Sequence, residues 1–185
     1  MSVAYTWGTT PEERKLEYAC DRFWEKKGRE CAFYRGVTIN ASPEVIYKWL
    51  CQIRVAPYSY DWIDNLCRRS PRTLTPGIDD LSIGMHIQEM FEVIDFERDR
   101  SITVRAIPRK MEYMRLLDMV VTYMIVPRSD ANCRLLVKGY CNFTDDPLGR
   151  LSHKFLLWGD LIMMRKQLLN FKSLAQKTRS ALPHP

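Results

Sequence analysis

DPLGRLSHKFLLWGDLIMMRKQLLNFKSLAQKT, residues 146–178, is the stretch of sequence that decides the fold. Asp146 suits a helix N-cap, and Pro147 suits the first helical position because its missing N–H has no helical partner there in any case. No comparably strong helix breaker follows before Pro183. The pattern therefore predicts one helix from Pro147 to about Thr178, on the order of 48 Å long at the α-helical rise.

This helix is apolar on two opposite sides when successive residues are placed 100° apart. The first stripe consists of Leu148, Leu151, Phe155, Trp158, Ile162 and Leu169. The second stripe consists of Leu157, Leu161, Met164, Leu168 and Phe171. A helix with two apolar sides is embedded rather than laid on a surface. We expect the first stripe to face a sheet, which leaves the second stripe to be covered by another element.

A run of strands precedes this helix. Alternation and turn signals predict strands over 84–91, 91–97, 101–107, 118–126 and 133–143. In the last strand Arg134, Lys138 and Asn142 share one face, and the opposite face is mostly apolar. This pattern is typical of an antiparallel sheet with one wet face and one covered face.

The N-terminal part of the chain predicts a helix, a strand and a second helix. Residues 31–39 are expected to form the strand, and Ser42 and Pro43 to begin the helix that follows it. The sequence then divides into an N-terminal helical extension, a main domain and a short tail: 1–30, 31–180 and 181–185.

Within the extension, a capping box of Thr10 and Glu13 predicts a helix from Pro11 to Trp24. Left bare, the second stripe would form an apolar patch that soluble monomers seldom expose without use. We expect the N-terminal helix to pack across the second stripe and cover it. The alternatives are a dimer seam or a membrane-facing surface.

The chain has 185 residues, of which 46% are hydrophobic and 27% charged. This composition is typical of one folded domain and excludes fibrous and disordered classes. The N-terminus lacks a secretory signal pattern and no apolar run is long enough to span a bilayer, so we expect a cytoplasmic protein. Six cysteines without a C-x-x-C pair are expected to be reduced thiols, and three histidines far from any cysteine cluster predict no metal site.

The positive charge of the chain is concentrated at its C-terminal end. Residues 147–185 hold seven lysines and arginines but only one acidic residue, Asp160, so the formal net charge of +6 falls in this segment. A solvated face is one interpretation, and a weak contact with an anionic membrane surface is the other. Nucleic acid is not expected as a partner because no stacking platform accompanies the charge.

Three stretches carry a resemblance to a known superfamily. FYRGVTINASPEVIYKWLCQI (33–53), RVAPYSYDWIDNL (54–66) and WGDLIMMRKQLLNFKSLA (158–175) resemble the polyketide cyclase/dehydrase-like bacterial branch of the SRPBCC superfamily, which includes START and birch-pollen-allergen proteins. The resemblance implies an α+β helix-grip fold, in which a curved antiparallel sheet wraps around the long C-terminal helix. It also implies a cofactor-free protein with a cavity between the two.

Candidate residues for this cavity come from four places in the chain. Aromatic side chains with polar tips suit an amphipathic ligand, and strand parity places Glu89 on the covered face unless a bulge turns it outward. Methionine suits a cavity for varied apolar ligands. The candidates are Tyr58, Tyr60, Asp61, Trp62, Glu89, Val137, Trp158, Met163 and Arg165.

These observations predict that the protein binds a hydrophobic or amphipathic small molecule that is lipid-like or polyketide-like. One alternative is a polyketide cyclase or dehydratase that uses the same cavity, with Glu89 and Tyr60 as candidate acid–base groups. A second alternative is a protein-interaction module that uses the second stripe. The sequence lacks the motifs of serine hydrolases, zinc proteases and nucleotide-binding loops. Monomer and homodimer are both compatible with it.

Overall fold

A computed structural model describes residues 2–25, 29–64, 67–107, 109 and 114–181. Within them, six strands form one curved antiparallel sheet in the order β1-β6-β5-β4-β3-β2. The strands are β1 (Arg29–Ile39), β2 (His86–Ile87), β3 (Phe91–Glu97), β4 (Ser101–Ala106), β5 (Leu116–Ser129) and β6 (Asn132–Phe143). The predicted α+β helix-grip architecture is confirmed.

The described helices are short, apart from two. They are α1 (Val3–Thr6), α2 (Cys20–Phe23), α3 (Pro43–Cys51), α4 (Asp61–Asp64) and α5 (Pro147–Ala181), with single 3-10 turns at Glu13–Lys15 and Gln52–Arg54. Most predicted strands appear close to their expected bounds. The exception is 84–91, where β2 ends at Ile87 because the next two residues, Gln88 and Glu89, have positive φ angles that strands do not accommodate.

Helix α5 begins where the sequence predicts. The Asp146 carboxylate accepts the backbone N–H of Gly149 at 2.6 Å and the hydroxyl of Thr144 at 2.9 Å. Gly149 lies so close to Thr144 that a Cβ on it would come within 2.1 Å of the Thr144 carbonyl oxygen. The N-cap and the glycine together hold the start of α5 against the end of β6.

The prediction for the two stripes of α5 is reversed in the structure. All residues of the second stripe are buried against the sheet and α3, whereas Phe155 of the first stripe is 71% exposed and Trp158 is 51% exposed. The second stripe faces the sheet because it is the longer of the two: Leu174 and Ala175 continue it, so it runs along most of the helix. The part of the first stripe that is at least half exposed ends at Ile162. The second stripe is therefore not available to a partner protein.

The N-terminal extension is helical only in short pieces, and the prediction of one helix from Pro11 to Trp24 is wrong. The capping box does form, with the Thr10 N–H donating to Glu13 Oε2 at 3.0 Å and the Glu13 N–H donating to Thr10 Oγ1 at 3.2 Å. However, the hydroxyl of Tyr18 donates to the Glu13 carbonyl at 2.9 Å. The backbone turns to an extended conformation at Leu16 (φ −62°, ψ 151°), so the helix stops after one turn.

Residues 18–24 of the extension pack on the convex face of the sheet and not, as predicted, on the second stripe of α5, whereas α1 lies beside β1 and α5. Tyr18 and Cys20 are fully buried there against Val120 and Leu136. The Cys20 N–H donates to Thr122 Oγ1 at 2.8 Å. The expected wet face of the sheet is therefore covered.

The polar side chains of that face are consequently buried and paired. Glu13 accepts hydrogen bonds from Arg134 at 2.7 and 2.9 Å, and Lys138 Nζ lies 2.5 Å from Asp21 Oδ1. Burial opposes the charge of Lys138, but hydrogen bonds to Asp21 and Tyr140 hold the pKa of this ammonium above its ordinary value.

Replacing Glu13 by alanine tests whether the extension is held by its ion pair. Both side chains of the Glu13–Arg134 pair are only 10% exposed. Glu13→Ala leaves the buried Arg134 without its counterion and should lower the free energy of unfolding by about 3–5 kcal/mol. Urea unfolding followed by circular dichroism measures this loss.

The matched control is Glu97→Ala, which breaks the largely exposed Glu97–Arg100 pair. It should cost no more than about 1 kcal/mol. Equal losses for the two variants would contradict the anchoring role of Glu13.

Candidate functional site

A cavity of about 910 Å³ lies between the N-terminal half of α5 and the concave face of the sheet. Its walls are mostly apolar. The sheet and the segments beside it contribute Cys31, Phe33, Met90, Phe91, Met114, Leu116, Met119, Cys141 and Phe143, and α4 contributes Ile63. Helix α5 contributes Leu151, Ser152, His153, Phe155, Leu156, Leu157, Gly159, Asp160, Ile162 and Met163.

A glycine in β6 sets the position of one wall. Phe33 and Gly139 are directly opposite each other in the β1–β6 pairing. A Cβ on Gly139 would lie 2.3 Å from the Phe33 ring. Only glycine leaves room here for the outer edge of this ring, which lines the cavity.

The cavity opens at the first stripe of α5. Leu151, Phe155 and Ile162 line the cavity and are at least half exposed, as is Ile63 on α4. The exposed apolar residues thus form the rim of the cavity. Their exposure is explained by the opening, since the second stripe already supplies the packing against the sheet.

A buried ion pair forms the main polar feature of the cavity wall. Arg35 on β1 is fully buried, and its Nη2 donates to Asp160 Oδ2 on α5 at 2.8 Å. The guanidinium also donates to the Tyr34 carbonyl at 2.9 Å and lies 4.9 Å from the centre of the Phe33 ring. Burial raises the pKa of Asp160 to about 6, against the opposing effect of Arg35.

Two thiols and an imidazole lie on the same wall. Cys31 and Cys141 are direct partners in the β1–β6 pairing, and both are buried and free. A hydrogen bond between the two thiols lowers the pKa of Cys31 and raises that of Cys141. The buried ring of His153 packs 5.2 Å from Phe143 and 6.5 Å from Tyr5, measured between ring centres.

The predicted site residues near Pro57 do not line this cavity. Tyr58 is buried between Trp49 and Phe171, and its hydroxyl donates to the Pro71 carbonyl and accepts from Gln52. The Asp61 carboxylate accepts the backbone N–H and the hydroxyl of Ser70. Tyr60 is half-buried next to it, and Trp62 is 70% exposed.

Of the other predicted residues, the structure places only Met163 on the cavity wall. Glu89 is exposed in the β2–β3 turn, because β2 ends before it; strand parity therefore does not apply, and the prediction of a covered face is wrong. Trp158 is on the exposed side of α5, and Arg165 lies over the ring of Trp7. Val137 is fully buried in the core.

Sequence reasoning missed the Arg35–Asp160 pair, although signals for it exist. Arg35 alternates with Phe33 and Val37 on the covered face of β1. His153, Asp160 and Gln167 recur every seven residues, which places them on one flank of the buried stripe. A polar residue in an inward-facing heptad position needs a partner, and each strand residue opposite it is then a candidate.

Within the described ranges, no three histidine, cysteine or acidic side chains converge in a way that would hold a metal ion. In the same part of the chain, no helix combines the length and the apolar character that crossing a bilayer requires.

The raised pKa of Asp160 predicts a specific pH dependence of stability. The folded protein binds a proton at Asp160 more readily than the unfolded chain between pH 3.8 and about 6. The contribution of Asp160 to the free energy of unfolding therefore falls as the pH rises through this interval, by on the order of 3 kcal/mol. Above the interval this contribution stays low.

Urea unfolding at pH 4.5 and pH 7.5 measures this effect in the natural protein and in Asp160→Asn. The variant cannot titrate at this position and should lack the fall. A fall of the same size in both proteins would assign it to another group.

No protein-family model matches the chain, and no curated protein matches it at a significant level. Solved structures do. Norcoclaurine synthase from Thalictrum flavum, solved as a point mutant with a transition-state analogue, has a TM-score of 0.53 at 11% identity, over 84% of this chain and 99% of that chain. The di-domain ARO/CYC protein StfQ from the steffimycin biosynthetic pathway has a TM-score of 0.53 at 13% identity, over 82% of this chain and 52% of that chain.

A protein from Nitrosospira multiformis has a TM-score of 0.51 at 11% identity, over 80% of this chain and 99% of that chain. Identities this low carry information about the fold and not about the activity. The chain shares the helix-grip fold of these solved structures.

Proposed function

We propose that this protein binds a hydrophobic or amphipathic small molecule, lipid-like or polyketide-like, in the cavity between the sheet and α5. The observation that carries the proposal is the cavity of about 910 Å³ with mostly apolar walls. Pockets for small molecules measure about 300–1,000 Å³ and are predominantly apolar. Burial of an apolar ligand there would contribute about 25 cal/mol for each Å² removed from water.

The rim supports a route for the ligand. Phe155 and Ile162 are exposed and apolar, and Arg150 and Lys154 are exposed cations on the same part of α5. Apolar side chains beside cations suit an anionic lipid surface. We propose that the ligand enters through this rim during a weak contact of the protein with such a surface.

The proposal includes a cofactor-free, cytoplasmic protein that acts as a monomer or homodimer. All six cysteines are free, and Cys31 and Cys141 face each other as thiols. Unpaired thiols suit a reducing compartment.

A second candidate function is a cyclase or dehydratase that uses the same cavity. Asp160 favours it, because a carboxyl with a pKa of about 6 on an apolar wall can act as a general acid or base near neutral pH. Multiple-turnover conversion of a poly-β-keto substrate, abolished in Asp160→Asn, would favour the enzyme. Stoichiometric binding without turnover favours the binding protein.

Filling the cavity tests the proposed function. Leu156 on α5 lines the cavity and is half-buried. Leu156→Trp should weaken binding of the neutral dye Nile red about tenfold or more, since overpacking costs about 1–3 kcal/mol. Fluorescence titration measures the affinity and the stoichiometry, which should be one dye per chain in the natural protein.

The control is Lys177→Trp, which adds the same side chain at an exposed position of α5 outside the cavity. It should leave the affinity unchanged. Binding that survives Leu156→Trp would place the dye on the exposed rim and contradict the proposal, as would a natural protein that binds no dye.

A further inference from the structure

Asp160 presents one unused carboxylate oxygen at the cavity wall. Its Oδ2 accepts the hydrogen bond from Arg35, and its Oδ1 accepts none from any residue in the described part of the chain. The side chain keeps 22% of its surface exposed and lines the cavity. Among the described residues that line the cavity, Asp160 is the only carboxylate, and none of them is a lysine or an arginine.

Arg35 itself is out of reach of a ligand. Its side chain is 0% exposed, covered by the Phe33 ring and bonded to Tyr34 and Asp160. The charges of Arg35 and Asp160 cancel, but only the Asp160 carboxylate faces the cavity. A ligand meets a hydrogen-bond acceptor here without meeting the cation behind it.

This one-sided arrangement selects among ligand head groups. A carboxylate would bring a second negative charge next to Asp160 and could not reach Arg35 to compensate for it. An ammonium group would leave a net positive charge in an apolar cavity, at a large desolvation cost. An uncharged hydroxyl donates to Oδ1 without adding a charge, and a hydrogen bond to a charged acceptor is a strong one.

We propose that Asp160 is the head-group subsite of the cavity, and that it selects amphipathic ligands bearing an uncharged hydroxyl, such as an alcohol or a phenol. This inference rests on the proposed function and adds the chemical class of the ligand to it. The raised pKa of Asp160 supports it, because a poorly solvated carboxylate with one donor, Arg35, is further stabilised by a second donor from the ligand.

Four probes with the same twelve-carbon chain test the proposal: 1-dodecanol, dodecyl methyl ether, dodecanoate and dodecylammonium. Their affinities are measured at pH 7.5 by displacement of Nile red, below the solubility limits of the two uncharged probes and below the critical micelle concentrations of the two charged ones. The alcohol should bind about tenfold more tightly than the ether, which has no donor, since hydrogen bonds to charged groups are worth about that much. It should also bind more tightly than both charged probes.

Asp160→Asn should invert the order of two probes. The variant leaves the Arg35 charge uncompensated, so dodecanoate should then bind more tightly than 1-dodecanol. The matched control Asp130→Asn removes an exposed carboxylate far from the cavity lining and should keep the natural order. Circular dichroism verifies that each variant is folded.

A double variant keeps the test valid if Asp160→Asn does not fold. Arg35→Met with Asp160→Leu replaces both charges by apolar side chains of similar size, an exchange that proteins often tolerate. Here the alcohol should lose its advantage over the ether.

The outcomes separate the two proposals. If no probe displaces the dye from the natural protein, the proposed function itself fails. If all probes bind the natural protein equally, or if the order is unchanged in Asp160→Asn or in the double variant, the protein binds ligands but Asp160 does not select them. Tighter binding of dodecylammonium than of 1-dodecanol would overturn the preference for an uncharged head group.

Discussion

The packing of the second stripe of α5 against the concave face of the sheet fixes the rest of the structure. The stripe runs from Leu157 to Ala175 and is buried along its length. Once this side faces the sheet, the rotation of the helix is set. The first stripe then lies outward and Asp160 lies inward, opposite Arg35. The position of the cavity and the inward position of Asp160 both follow from that choice of face.

On the convex face of the sheet, the buried residues include charged side chains as well as apolar ones. The N-terminal extension covers it with Tyr18 and Cys20, while ion pairs neutralise the charges that the sheet carries there. Buried ion pairs seldom stabilise a fold more than apolar packing would, but they are costly to break. Here they fix where the extension lies, so both faces of the sheet are covered by elements from the same chain.

The fold could be predicted from the sequence because helices and strands leave periodic patterns of apolar residues. The N-cap at Asp146, the strand alternation and the length of α5 were each predicted and confirmed. The stripe of α5 that faces the sheet was not predicted correctly, because two apolar stripes of similar hydrophobicity are distinguished only by what packs against them. Glu89 was misplaced since parity holds only within a strand, and β2 ends at Ile87. Arg35 and Asp160 are separated by 125 positions, so their pairing depends on tertiary structure.

The central claim is that a ligand occupies the cavity beneath α5, and the methionines of the chain report on it directly. Met90, Met114, Met119 and Met163 line the cavity, whereas Met124 packs on the convex face. Methyl NMR spectra of protein labelled with ¹³C at the methionine methyl groups should therefore be recorded during titration with 1-dodecanol. The account predicts saturable shifts of the cavity methionines and an unchanged Met124 resonance. Saturation of the protein without any shift of the four cavity methionines would contradict it.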